Sequence, residues 1–497
     1  MSNLGRRFVG VPSWLIFQSL FLAVLLGGFC LLPFAHLWGT LPQPPVTDTG
    51  GSDPAANLPQ AVVGLVLFGV PSLLPFVLYR YRPATRLIRG LPWLAGAAAA
   101  AVVLLPASVS LSTYPCCTSD VLDYVNRQRL WAVYGGNPFS AVPDQYPQDW
   151  TYAFTSFKQM VVSYGPAWWL TARVFTQFAE SLDQYLIGFK VLAAVCYAAS
   201  LAFVWRLTRD QQDRLERLVF FAWHPVLLID GLVRLHNDLL TVPLVLGAYW
   251  LYRRRRPATG LAIIGLGALV KLTVAPVAAP LIVYLVRARR WRELSLGFAT
   301  CALLAVALYG PFWFGLGTLL PMLQQAGRPQ WSVGAGMLYA LGSGWELGVR
   351  LVLMAAGCGI AGICVWKRSA EGPRVDQLTG TAALVLVAGL LTLPLALYSH
   401  YFMPVIALAA VASDARIRSL VLAVSVGTVI NAILGADSLA GGIGGHTLDV
   451  LGSGVVLVSL VAGLVLARGG QASLRRPRWP TRFASSSPYE PATPGPA

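Results

Sequence analysis

Asp120 and Asp123 stand three residues apart in SDVLDY, near the head of the longest polar interval of an otherwise apolar chain. On a helix, positions i and i+3 share a face. One of two carboxylates placed so could act as a general base toward a hydroxyl. The same pattern also suits a helix start capped by Ser119 and completed by Asp123. Arg127 and Arg129 follow. A guanidinium clamps a phosphate through paired hydrogen bonds, or closes on a neighbouring acid as an ordinary ion pair. The whole interval, Thr113–Pro166, adds Asp144, Asp149, Lys158 and many aromatics. A connector this long is usually functional or disordered, and disordered segments are poor in aromatics. It reads as a folded loop that carries the chemistry.

Three further groups of polar residues interrupt apolar sequence: Arg234-Leu235-His236-Asn237-Asp238, Lys271, and Tyr398-Ser399-His400-Tyr401. Cations there suit an anionic substrate group, or reach the headgroups by snorkelling. Asn237 or Asp238 before LLTVPLVLGAYWLY also makes a good helix cap. His236 with Asp238 offers two metal ligands, which do not make a site. Of the seven cysteines, five lie in apolar runs, and Cys116-Cys117 are adjacent without metal-ligand spacing. No cofactor is expected, and a divalent metal has no support in the sequence. Gly135-Gly136-Asn137-Pro138-Phe139 signals a tight turn.

Such residues need elements to hold them. Of 497 residues, 56% are hydrophobic and only 12% charged, against roughly 25% in soluble domains. Apolar runs recur at 13–33, 60–79, 91–111, 183–205, 218–233, 237–252, 258–270, 272–286, 294–314, 346–366, 378–397, 401–413, 419–434 and 449–467. The fold class expected is an all-α polytopic membrane protein of about fourteen membrane segments. The first run, too long for a signal peptide and without a cleavage site, reads as an uncleaved span. The net charge of +16 has its simplest cause in the positive-inside rule rather than in nucleic acid. Arginine clusters fall at every second connection and gather 28 of the 37 basic residues on one side, which is then cytoplasmic. The 113–166 loop faces outward, as do 34–58, 316–345 and 435–448. The chain divides into a membrane unit, 1–467, with an interfacial helix at 167–180 carrying Trp168 and Trp169, and a disordered cytoplasmic tail, 468–497.

The middle of the chain holds shorter pieces. As one helix, 258–286 would be about 43 Å long, beyond a roughly 30 Å hydrocarbon core. It would also put Arg253–Arg256 and Arg287–Arg292 on opposite sides. Two halves of about 20 Å solve both problems and leave the turn at Lys271 at intermediate depth. The same holds for 218–252, whose turn carries Arg234, His236 and Asp238. Ionisable groups at such depth are functional candidates. No GxxxxGK[ST] loop is present, which argues against a nucleotide-driven motor.

In order, Asp120, Tyr124, Arg129, Gly135–Phe139, Tyr164-Gly165-Pro166, Trp223-His224-Pro225, His236–Asp238 and Lys271 form a pattern that resembles the GT-C fold glycosyltransferases. It is most similar to the bacterial polyprenyl-phosphate-mannose-dependent mannosyltransferases, over roughly residues 90–410. The resemblance implies an inner-membrane, multi-pass hexosyltransferase with its site facing outside. It implies a polyprenyl-phosphate-linked sugar donor, with mannose as the sugar, and an envelope glycan or glycolipid acceptor. Catalysis is expected of Asp120, with Asp123 beside it. Donor phosphate and substrate are expected on Arg129, Arg234, His236, Asp238, Lys271, His400 and Tyr401. Tyr124, Asn137, Pro138 and Tyr164 are expected to shape the loop. This chain departs from the pattern in Cys116-Cys117, in Tyr146-Pro147-Gln148 and in the long Asp144–Lys158 stretch. A transporter or flippase, or a non-catalytic envelope-assembly partner, is the competing reading. The absence of an evident inverted repeat speaks against the transporter.

Overall fold

The computed structural model describes residues 107, 110–111, 120–161, 164–321, 346–368, 374–392, 397–434 and 454–465. The expected spans at 13–33 and 60–79, most of 91–111, Ser119, Cys116-Cys117 and the 468–497 tail lie outside the described residues. The described residues form helices and turns, with no strand among them. The helices are α1 Asp120–Tyr134, α2 Pro166–Thr176, α3 Leu182–Leu207, α4 Arg214–Ala222, α5 Asp238–Arg253, α6 Pro257–Val270, α7 Ala279–Arg287, α8 Trp291–Tyr309, α9 Glu346–Arg368, α10 Val375–Thr392, α11 Met403–Val411, α12 Ala415–Leu434 and α13 Gly454–Val465. By length and composition, three described helices could cross a membrane: Leu182–Leu207, Trp291–Phe312 and Val375–Thr392. Shorter apolar helices lie at Pro257–Val270, Leu272–Arg287, Leu351–Lys367, Ser399–Val411 and Gly454–Val465; the expected count of fourteen segments is not confirmed by the described helices.

The length arithmetic is visible in the backbone. The 258–286 run breaks at Lys271, whose extended φ of −152° and ψ of 119° ends α6. A 3₁₀ turn, Leu272–Ala278, leads from there into α7. The 218–252 run breaks twice. α4 stops at Trp223, a π-helical turn spans Leu227–Val233, and α5 starts at Asp238. Between them Leu235 sits at φ 62°, a left-handed conformation rarely adopted by a bulky side chain.

These short helices give the bundle two chemically different ends. α5 runs from Asp238 to Arg253 and α6 runs back from Pro257 to Val270. Arg253 donates to the carbonyls of Arg206 and Leu207, and Arg287 to that of Trp366. The arginine turns thus share one end. Asp238 and Lys271 lie at the other, about 21–24 Å away along 14- and 16-residue helices.

The 120–161 loop closes over this second end. Gly135 at φ 69° ends α1. Asn137 accepts from the Phe139 amide at 2.9 Å and donates to the Phe312 carbonyl at 2.9 Å. Phe139 packs on Tyr309 and Phe312, so Gly135–Phe139 fastens the loop to the end of α8. Trp168 and Trp169, expected at a lipid interface, are instead buried: Trp168 packs against Tyr124 and Phe189, and Trp169 beside Tyr164. The reason is the chain before them. Gly165 donates its amide to the Val270 carbonyl at 3.0 Å, which pulls the start of α2 into the bundle.

Candidate active site

α1 begins at Asp120, and its first turn faces the break between the π-helical turn and α5. Asp120 Oδ2 lies 3.2 Å from His236 Nδ1. The His236 ring stacks on that of His400, with centroids 3.9 Å apart and 16° between planes. His400 Nε2 lies 3.9 Å from Asp238 Oδ2. The Lys271 ammonium donates to the same Asp238 oxygen at 2.6 Å. Lys271 also sits 4.3 Å from the centroid of the Tyr401 ring and 5.6 Å from that of Tyr164. Residues from four places in the chain thus meet at one site: Asp120, His236 with Asp238, Lys271, and His400 with Tyr401.

The carboxylates around it differ in what is left of them for chemistry. Asp238 is 2% exposed in its side chain and bound by Lys271. Asp123 is 7% exposed, bound by Arg127 Nε at 2.9 Å, and accepts a short hydrogen bond from Thr155. Asp120 is 24% exposed. Burial raises the Asp120 carboxyl, but the His236 hydrogen bond and the nearby charges of His236, Lys271 and Arg234 outweigh it. They hold the group below the ordinary carboxylate range. It is therefore ionised at neutral pH and open enough to meet a substrate. Tyr124 and Tyr164, whose hydroxyls lie 3.5 Å apart, are pushed the other way, both well above the ordinary phenol: burial first, then the Asp120 carboxylate for Tyr124, and Tyr124 with Asp120 for Tyr164. They stay protonated and able to donate.

Some expected site residues are elsewhere. Arg129 lies nine residues beyond Asp120 along α1 and grips Asp149 through Nε at 3.0 Å and Nη2 at 2.9 Å. It also lies over the Trp150 ring. This folds the loop back on α1 and uses up the expected phosphate clamp. Asp123 belongs to a second loop staple, in which Arg127 also donates to the Phe157 and Met160 carbonyls at 3.0 and 2.7 Å. Pro138 stays in the turn with Asn137. Arg234 borders the site but binds Asp230 at 3.1 Å.

Two charged residues outside the expected set also support the site. Lys190, in the middle of α3, donates to the carbonyls of Leu232 at 2.7 Å, Ser110 at 3.2 Å and Val233 at 3.4 Å. It caps the π-helical turn just ahead of Arg234. Asp230 accepts from Ser399 at 2.6 Å. Both are charges inside apolar runs, which is a signal in itself. Among the described residues, no group of three or more His, Cys, Asp or Glu is placed to hold a metal ion.

No curated protein matches the chain. A family model described as "Alpha-(1->6)-mannopyranosyltransferase, N-terminal domain" matches residues 24–288, more than half of the sequence. The matched stretch contains Asp120, Arg234, His236, Asp238 and Lys271, while Ser399, His400 and Tyr401 lie beyond it. The chain belongs to this family, MptA_B, the alpha-(1->6)-mannopyranosyltransferases.

Proposed function

We propose that the protein is an inverting mannosyltransferase. It takes mannose from a polyprenyl-phosphate carrier on the extracytoplasmic face of the membrane and delivers it to an envelope glycan or glycolipid. The observation that carries this reading is the unequal state of the three carboxylates: Asp120 is the most exposed of them, and His236, Lys271 and Arg234 hold it ionised. In this mechanism Asp120 accepts the proton of the acceptor hydroxyl. The oxygen attacks the anomeric carbon, and the bond from that carbon to the phosphate oxygen breaks on the opposite face. The lipid phosphate leaves with the electron pair, beside Lys271 and Arg234. Cations fixed where charge develops stabilise such a departure without reorganising. Inversion gives an α product from a β-linked carrier sugar, in keeping with the family's description.

Sidedness rests on charge. The arginine turns share the end of the bundle away from the site, and an arginine-rich face is the cytoplasmic one. A lipid-linked donor can reach the other end from within the bilayer. The test is transfer of radiolabelled mannose from synthetic polyprenyl-phosphate mannose to an alkyl α-mannoside in membranes carrying the protein. Labelled α-(1→6) product is expected. Product formed only from a nucleotide sugar, or none at all, would refute the reading.

A further inference from the structure

We propose that Asp230 is a positioning residue that sets the two stacked histidines and Arg234 against one another, with Ser399 as its arm to His400. The inference rests on the active-site reading above and names a part of the machinery that touches no substrate.

Three bonds leave this one residue, for His236 in the site and for Arg234 and Ser399 at its border. Its main-chain carbonyl accepts the His236 amide at 2.9 Å. Its Oδ1 accepts Arg234 Nη1 at 3.1 Å. Its Oδ2 accepts the Ser399 hydroxyl at 2.6 Å. Ser399 immediately precedes His400, whose ring lies on that of His236. Both rings of the stack are therefore tied to Asp230, one through the backbone and one through the carboxylate. The two elements lie far apart in the chain, with 169 positions between Asp230 and Ser399.

The backbone shows why such a tie is needed. π-Helical turns are rare, and they are found often at functional sites. Two residues past the end of this one, Leu235 sits at φ 62°, a left-handed conformation that is unfavourable for a bulky L-residue. A strained turn keeps one shape only when its surroundings over-determine it. Asp230, 1% exposed, supplies that constraint from beneath while Lys190 caps the turn's last carbonyls. A carboxylate that only balanced Arg234 would not need to reach Ser399.

Ser399→Ala cuts the arm to His400 and leaves the Arg234 pair intact. In the full-length protein, with polyprenyl-phosphate mannose and an alkyl α-mannoside, kcat should fall about tenfold. Both KM values should stay within twofold, and Tm within about two degrees. Ser399→Thr, which keeps the hydroxyl, should restore most of the rate. Asp230→Asn also removes the anionic partner of Arg234, so it should change the donor KM as well as kcat. If Ser399→Ala lowers Tm while the folded enzyme keeps its kcat, the residue is a folding staple and the proposal is overturned. The Ser399 variants decide the matter even where Asp230→Asn fails to fold. Asp120→Asn run beside them separates the two claims. An active Asp120→Asn sinks the site reading itself, whereas an inactive one with wild-type Ser399→Ala sinks only the role of Asp230.

Discussion

Gly165→Ala is a one-methyl test of how Lys271 is placed. The φ of Gly165 is −73°, which any residue tolerates, so backbone freedom is not the reason for glycine. The reason is distance. A Cβ at this position would meet the Leu269 carbonyl oxygen at 1.9 Å and its carbon at 2.6 Å. Both partners are main chain, so no side chain can swing away. The end of α6 and the Tyr164–Pro166 segment must separate by at least about 1 Å to reach a tolerable contact of 3.0 Å. Lys271 follows Leu269 by two residues and Tyr164 precedes Gly165, so the displacement falls on the ammonium and on the ring it faces. A misplacement of about 1 Å costs on the order of a hundredfold in rate. Transfer assays should show kcat/KM down by about that factor, with Tm reduced by a few degrees. A Gly165→Ala enzyme within threefold of wild type, at unchanged Tm, would refute the idea that this contact sets the position of Lys271.

Further outcomes follow from the same geometry. Lys271→Met leaves Asp238 buried without its 2.6 Å partner, which costs about 3–5 kcal/mol. It should also lower donor kcat/KM about ten- to a hundredfold. Lys271→Met with Asp238→Asn should regain stability but not transfer, and regained transfer would remove Lys271 from the phosphate site. Asp149 is raised by burial but lowered more by its Arg129 and Thr151 bonds, so its folded value lies below the unfolded one. It therefore stabilises the loop above about pH 4, and that contribution is lost as pH falls through the folded value. Limited proteolysis of the loop should rise in acid and lose this dependence in Asp149→Asn; an unchanged acid profile in the variant would refute it. Impermeant thiol reagents on intact cells should label a cysteine placed at Gln145 and not one at Arg255, and the reverse pattern would overturn the assigned sidedness.

Much of this arrangement was legible because it follows from lengths and charges. A 29-residue apolar run between two arginine clusters has to fold back on itself, and it does so at Lys271. The polar turn Arg234–Asp238 in the preceding run likewise marks the start of α5 at Asp238. Asp123 and Arg127 are four apart and pair as helix neighbours do. What the sequence hides is which distant groups meet. Arg129 and Asp149 are twenty residues apart across a folded loop, so a free cation and a paired one look alike in the sequence. The tryptophans at 168 and 169 carry no mark that separates a lipid interface from a protein interior, and the Gly165 contact with Val270 decides between them. Lys190 and Asp230 were visible as charges in apolar runs. Their role as ties on a π-helical turn depends on a backbone form that hydrophobic periodicity does not reveal.

Exchanging the two neighbouring aspartates one at a time tests most directly whether Asp120 takes the acceptor's proton. Asp120→Asn keeps size and polarity but cannot accept a proton at neutral pH, so kcat should fall about 10²–10⁴-fold while donor binding and Tm stay near wild type. Asp123→Asn loosens the Arg127 and Thr155 staple, so it should cost stability first and rate much less. Near-normal transfer by Asp120→Asn, with Asp123→Asn folded and inactive, would contradict the assignment and move the base three residues along the helix.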